Sequence, residues 1–425
     1  MLPRASSIRT GPFLFPRGST APGRWGTLSI MNSLETLLAA GQLAQAKTEA
    51  EKLLAKNPAH RDALVVMTKL SLVEGKLPQA EALLAKAEAQ GATPETGLVR
   101  ANIAAQKGQL AAALNAYQAV LALDPNRAEA HFGRGMMLIK QDKAPQALEA
   151  LTHAVKLQPQ QDVFRYRLGQ VQLEAGKTEE GLATLREVIT RQPRFVPAYL
   201  SLSHALSSQE KLVDARRVLE QGLKAVPNQP RLLASVTVLS MALRDLRTSY
   251  QAASALAASR PKDADAQANL AQLMLARGQI EQARHLCQTM ASLGVSSESL
   301  KMAEATCFES QEPPAYDKAI AAYEQGMGIS PDGWRAANNL GQLLLRIPAE
   351  PANTHLPRAV TVLEEATRRA PERPEPLLNL ALAQARLGQE KKAKELVQKV
   401  LAMPLAEDTD IYQEATRLSQ TLAKA

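Results

Sequence analysis

Residues 128–161 read AEAHFGRGMMLIKQDKAPQALEALTHAVKLQPQQ. Apolar residues recur at helical spacing in both halves, and a polar break falls near Asp142 and Lys143. The stretch therefore predicts two helices joined by a tight turn. The proline near its end, Pro159, belongs to a series: Pro125, Pro159, Pro193, Pro227 and Pro261 follow one another in steps of 34 residues. A period held so strictly means that one supersecondary unit is stacked many times, each burying its apolar face against its neighbours.

Three further columns keep the same register. In the first helix of each unit a small residue recurs at Ala101, Gly135, Gly169, Ser203, Thr237 and Ala271, then at Gly341 and Ala381. In the second helix the column is Ala46, Ala80, Ala113, Ala147, Gly181, Ala215, Ser249, Ala283, Ala319, Ala359 and Ala393. Short side chains let two helices approach, so these columns set the packing distance within a pair. Between the helices stand Gly41, Gly75, Gly108, Gly176, Gly278 and Gly388, suited to a helix end that needs positive φ. The prolines close the second helix, while Pro78, Pro145, Pro314 and Pro197 fall where helices should begin.

Taken together, these columns resemble the tetratricopeptide repeat, a 34-residue helix–turn–helix unit. The resemblance extends over nearly all of residues 32–403, some eleven units. It implies an all-α, right-handed superhelical solenoid. Residues 404–425 are expected to form a C-terminal capping helix, starting at Asp408 or Thr409, over the last repeat's open face. The related pentatricopeptide repeat, an RNA reader, has a longer period, and the even 34-residue steps argue against it. The register slips where Val295 stands for the expected proline, near Gln311–Pro314, and over 346–358; insertions at turns can carry function. The unit 230–263 is worn, with Thr237, Arg244 and Ser249 in columns usually smaller, turn-like or alanine.

Residues 1–31 stand apart. They are rich in Pro, Gly, Ser and Arg, lack helical periodicity, and read as a disordered leader or as a start set upstream of a true one at Met31. The alternative is an organellar transit peptide, which would move the protein from the cytoplasm to an organelle. Of the +8 net charge, four arginines lie in residues 1–34, ahead of the first acid, Glu35. The remainder is close to balanced, which argues against a nucleic-acid surface. No apolar run is long enough for a membrane span.

The chain offers no catalytic constellation, and neither cofactor nor metal is expected. The six histidines lack ligand-like pairing, and the two cysteines, Cys287 and Cys307, form no CxxC and read as small buried hydrophobes. Gly176-Lys177-Thr178 looks like the end of a phosphate-binding loop, but Val171 stands where that motif needs glycine, at a helix–helix turn rather than a strand–helix junction. What the resemblance implies is a non-enzymatic scaffold or adaptor whose first helices line a groove for a protein or peptide partner. Matching columns, the projecting side chains are Asn102, Phe132, Met136, Tyr166, Arg167, Gln170 and His204, then Asn269, Gln272, Asn338 and Gln342. The first group mixes apolar area, hydrogen-bonding groups and one guanidinium, which suits a segment bearing an acid. The carboxylate clamp of chaperone-binding members is not assembled, since Gly133 replaces an asparagine and Phe132 a basic residue. The other reading is a substrate-recruiting or regulatory subunit of an enzyme, envelope or secretion complex.

Overall fold

A computed structural model of the chain describes residues 30–348, 355–406 and 409–424. The leader, apart from its last two residues, and residues 349–354 of the long insertion lie outside the described residues. Contacts group the chain into two compact units, Met1–Val226 and Pro227–Ala425. Among the described residues there are 23 helices and no strand.

The first unit holds α1 (Ile30–Ala39), α2 (Leu43–Lys56), α3 (Arg61–Val73), α4 (Leu77–Glu88), α5 (Pro94–Gln106) and α6 (Leu110–Leu123). It continues with α7 (Ala128–Ile139), α8 (Ala144–Leu157), α9 (Asp162–Glu174), α10 (Thr178–Arg191), α11 (Val196–Ser207) and α12 (Leu212–Ala225). The second unit holds α13 (Pro230–Ala242), α14 (Leu246–Ser259), α15 (Ala264–Ala276), α16 (Ile280–Ser292), α17 (Glu298–Glu309) and α18 (Tyr316–Ile329). It ends with α19 (Arg335–Arg346), α20 (His355–Arg369), α21 (Pro374–Arg386), α22 (Glu390–Leu401) and α23 (Asp410–Lys424). Up to α22 the helices form antiparallel pairs, odd with the following even, and within each unit they pack on their sequence neighbours.

Local chemistry sets the helix ends. Asp124, Gln158, Gln192, Val226 and Arg260 each cap a second helix with φ between −136° and −129° and ψ between 69° and 88°. Each precedes a proline of the 34-residue series, whose ring excludes the α conformation from the residue before it. Where Val295 takes the proline's place, Gly294 (φ 69°) ends α16 instead, and Val295 N–H donates to the Met290 carbonyl at 2.9 Å. At the turn inside each pair, Gly41, Gly75, Gly108, Gly176, Gly278 and Gly388 all have φ between 72° and 76°. Asp142, Glu210 and Arg244 occupy the same left-handed position, with φ of 55°, 62° and 57°. The closing bonds are shared: Lys177 N–H donates to Gln172 O at 2.8 Å, and Lys143 N–H to Leu138 O at 3.0 Å. This is the six-to-one bond of a Schellman turn. Gly176 and Lys177 thus spend their backbone donors on closing a helix.

Packing follows the two small-residue columns. Every alanine of the second-helix column, from Ala46 to Ala393, is fully buried, as is Ser249. A Cβ on Gly135 would lie 2.9 Å from Leu151 Cγ, and one on Gly181 only 2.7 Å from Leu173 Cγ. At Gly341 it would overlap the buried Leu363. Ser249 and Thr237, the worn pair, are still accommodated because Ser249 Oγ donates to the Thr237 carbonyl at 3.1 Å. In the second unit α23 places Ala415 and Leu422 in one apolar cluster with Leu377 and Leu378 of α21 and Val397 and Val400 of α22.

Gly341→Ala is expected to lower the urea midpoint, costing about 1–3 kcal/mol despite alanine's higher helix propensity. In contrast Glu210→Gly should raise it, since a side chain in the left-handed region costs about 1 kcal/mol.

Candidate functional site

The expected groove residues fall into separate groups. In the first unit, α5 holds Asn102 half-buried, where its Oδ1 accepts a 2.6 Å hydrogen bond from the Tyr117 hydroxyl. Tyr117 is fully buried beside Gly133, and a Cβ on that glycine would run into the phenol ring. The glycine at 133 therefore makes room for a ring.

Two residues expected to project turn inward. Met136 is only 8% exposed and packs with Ala101, Tyr117 and Met137, while Asn338 is 5% exposed. Phe132 is half-buried and stacks on Phe164, with ring centroids 4.4 Å apart. The cause for Met136 and Phe132 lies in Gly133 and Gly135, which bring α7 close to its neighbours and draw that face into the core. Asn338 is enclosed by its own kind: Asn379 Nδ2 donates to its Oδ1 at 2.8 Å.

Tyr166, Arg167 and Gln170, by contrast, form one half-buried row on α9. Arg167 Nη1 donates to Gln170 Oε1 at 2.9 Å, and Gln170 Nε2 donates to Ser201 Oγ on α11 at 3.2 Å. Ser201 Oγ also lies 3.2 Å from the Tyr166 hydroxyl. The Tyr166 ring meets Phe195 edge-on at 5.1 Å, and the Arg167 guanidinium stands 5.5 Å from the Tyr166 centroid. His204, one turn along α11, is exposed.

The reverse side of α9 is pinned. Asp162 accepts from Arg165 at 2.9 Å and from Arg191 of α10 at 2.7 Å, and Arg165 also reaches Glu187 at 3.0 Å. The row is thus presented by a helix whose rotation is fixed by charge-assisted bonds. Among the described residues Arg167 itself has no ion-pair partner. Glu174 shares its field: desolvation raises the Glu174 carboxyl, and Arg167 opposes that rise.

In the second unit, Asn269 and Gln272 are exposed on α15, and Gln342 is exposed on α19. The helix α17 packs against both α15 and α19, so these amides form two groups rather than one. Sequence columns missed Ser201 and Phe195. Ser201 stands 34 residues after Arg167, so the repeat period alone could have found it. Asn379, which donates to Asn338, was hidden because the insertion between their units sets them 41 residues apart.

Among the described residues no cluster of three His, Cys, Asp or Glu side chains is placed to hold a metal. Nor is any described helix long and apolar enough to cross a membrane. The site's chemistry is hydrogen bonding, the guanidinium of Arg167, which has no ion pair among the described residues, and aromatic area.

Models of the tetratricopeptide repeat match residues 37–103, 138–202 and 172–239, and further repeat models match 101–142, 264–288 and 349–406. The chain belongs to the tetratricopeptide-repeat family. A stretch of 107 residues of this repeat protein is 28% identical to an Arabidopsis thaliana protein described as a probable UDP-N-acetylglucosamine–peptide N-acetylglucosaminyltransferase, SPINDLY. That stretch is 25% of this chain and spans 12% of the plant protein. Among solved structures, yeast Tom70 is similar over 93% of this chain and 95% of its own, at 13% identity and a TM-score of 0.47. YrrB, titled a TPR protein with an unusual peptide-binding site, is similar over 46% of this chain and 97% of its own, at 16% identity and a TM-score of 0.35.

Burial holds the Tyr117, Tyr199 and Tyr323 hydroxyls above the ordinary tyrosine range, and at Tyr323 a bond to Glu309 adds to it. The unfolded chain loses these protons near pH 10, whereas the folded chain keeps them. Their contribution is therefore whole below about pH 10 and is lost as pH rises above it. Urea midpoints measured from neutral to strongly alkaline pH should fall steeply above that point. Tyr117→Phe should remove one proton's share of the slope, about 1.4 kcal/mol per pH unit.

Proposed function

We propose that this repeat protein is a non-enzymatic adaptor that holds a protein or peptide partner along its first helices, with the row on α9 and α11 as the principal contact. Arg167 carries the reading: it is half-buried, it is free of any ion pair among the described residues, and it is oriented by Gln170 and Tyr166. A guanidinium held this way is prepared for a carboxylate, either an Asp or Glu side chain or a chain terminus. The tyrosine hydroxyl, Ser201 and the exposed imidazole of His204 would add hydrogen bonds to the partner's backbone, and Phe195 supplies apolar area beside them. Asn269, Gln272 and Gln342 offer the same backbone-directed chemistry on the second unit. In this reading residues 32–403 are the working array and α23 is a cap that shields its last apolar face. Nucleic acid is disfavoured, because the row carries a single cation and no basic stripe.

The partial likeness to a glycosyltransferase favours one variant of this reading, in which the chain recruits substrates for a separate enzyme or assembly complex. Both variants require the same groove.

Selection of a random peptide phage library on the full chain should enrich sequences carrying an acidic residue or a free C-terminus. Arg167→Gln should weaken the selected peptides by about 10- to 100-fold, the range expected for one hydrogen bond to a charged group. Tyr166→Ala should also weaken them, while Arg217→Gln, on an exposed face of α12, should not. Unchanged affinity in the Tyr166 and Arg167 variants, with unchanged helicity by circular dichroism, would place binding elsewhere.

A further inference from the structure

The first helix of the second unit is apolar on both of its sides. α13 buries Leu232, Leu233, Val236 and Leu239 in the core. Its opposite face carries Ala234, Val238, Met241 and Ala242 at helical spacing, and all four are exposed. Val238 and Met241, one turn apart, are 52% and 50% exposed. Elsewhere among the described residues, exposed large apolar side chains fall one to a helix or its cap, as at Leu43, Val213 and Leu246. A single such residue is ordinary, whereas two in one turn between alanines make a stripe on which another helix can lie.

The repeat period shows what α13 has given up. In steps of 34 residues, Val238 stands between His204 and Gln272, and Ser235 between Ser201 and Asn269. Valine thus interrupts a polar column, and Ser235 turns its hydroxyl back to the Arg231 carbonyl at 3.0 Å. Charge marks the ends of the stripe. Residues 230–244 contain no acid, and their cations are Arg231 and Arg244. Arg231 is exposed two turns before Val238 on the same face, and Arg244 is exposed in the turn that ends the helix. Neither has an ion-pair partner among the described residues. The next acid, Asp245, caps α14, accepting from Thr248 N–H at 3.0 Å and from the Thr248 hydroxyl at 2.7 Å. From one arginine to the other the chain spans about 20 Å, nearly four turns of helix.

These features select among occupants. A second copy of α13 laid on the stripe, parallel or antiparallel, would set arginine against arginine at both ends. A lipid surface would suit the arginines, but two mid-sized side chains between alanines offer little to insert. A helix with acids toward its ends matches both the apolar middle and the charges, and the alanines let its backbone come close. We propose that α13 is a docking site for an amphipathic helix of a partner protein, one whose apolar stripe lies between acidic residues nearly four turns apart. This contact rests on the adaptor reading only in taking the first helices as partner-facing, and it does not use Arg167.

The test uses the full chain carrying Tyr166→Ala and Arg167→Ala, so that the row on α9 contributes nothing. A phage library of helical peptides about four turns long, randomised along one face, is selected on it. Enriched sequences should carry apolar residues at i, i+3 or i+4, and i+7, with Asp or Glu toward both ends. Val238→Asp with Met241→Asp should weaken these peptides about tenfold or more and leave helicity unchanged, because both side chains are exposed. Arg231→Glu with Arg244→Glu should weaken them as well, and exchanging the peptides' acids for lysine should restore binding to that variant. Peptides that bind the Val238 and Met241 variant as tightly as its parent would overturn the proposal, as would selection of no acid-flanked apolar stripe. So would a wild-type dimer, or sedimentation with phosphatidylglycerol vesicles, that the Val238 and Met241 substitutions abolish. Loss of these peptides with the α9 row still binding its own removes this site alone; the opposite result removes only the row.

Discussion

Everything in this structure depends on how closely two helices of a pair can approach. The second-helix column admits alanine, glycine or one serine and nothing larger, and its residues are stripped of solvent. At such positions the contact is nearly backbone on side-chain root, so a single added methylene is felt directly. The first-helix column answers it from the other side, as at Gly341 against Leu363. Once that distance is set, the larger residues of the interior have defined places: Leu151, Leu185 and Leu363 cover glycines, and Tyr117 lies on Gly133. An interior with so few aromatics works because the helices themselves come together.

Function in such a scaffold must come from the side chains left over after packing. On α9 the division is clear. Asp162 and Arg165 are consumed by the joint with α10, and Leu168 and Gly169 by the core. Tyr166, Arg167 and Gln170 are left; Tyr166 and Gln170 bridge to Ser201 on α11, and Arg167 joins them through Gln170. In the proposed reading, a polar row already bonded across two helices is ordered before a partner arrives, which reduces the entropy lost on binding.

Helix boundaries were legible because they are local chemistry. Proline excludes the α conformation before it, and glycine tolerates positive φ, so both mark positions regardless of tertiary context. The turns at Asp142 and Arg244 could be placed only by register, and the one at Glu210 passed unread, because there the closing hydrogen bonds hold an ordinary residue where its own preference would not put it. Site residues were less legible than boundaries. A repeat column specifies an angular position on a helix, and whether that angle faces solvent depends on the girth of the adjoining helices. Met136 shares its column with Gln170 and His204, yet two nearby glycines let its helix sink until the side chain was covered. Ser201 was readable from the period but carries too little chemistry by itself to draw notice. Its role comes from Tyr166 and Gln170 meeting at its hydroxyl.

The turns that carry a left-handed residue are closed by bonds that reach no farther than six residues, and each proline-marked cap is equally self-contained. Between Pro125 and Pro261, one 34-residue segment therefore begins and ends on the same backbone geometry as the next. Such a chain can gain or lose a whole segment through an in-frame genetic exchange and still meet itself in the right conformation at the seam. The inserted residues after α17 and α19 break that interchangeability in the second unit. Lineages descending from this sequence should thus vary in length between Pro125 and Pro261, while the part with the inserted residues is inherited whole.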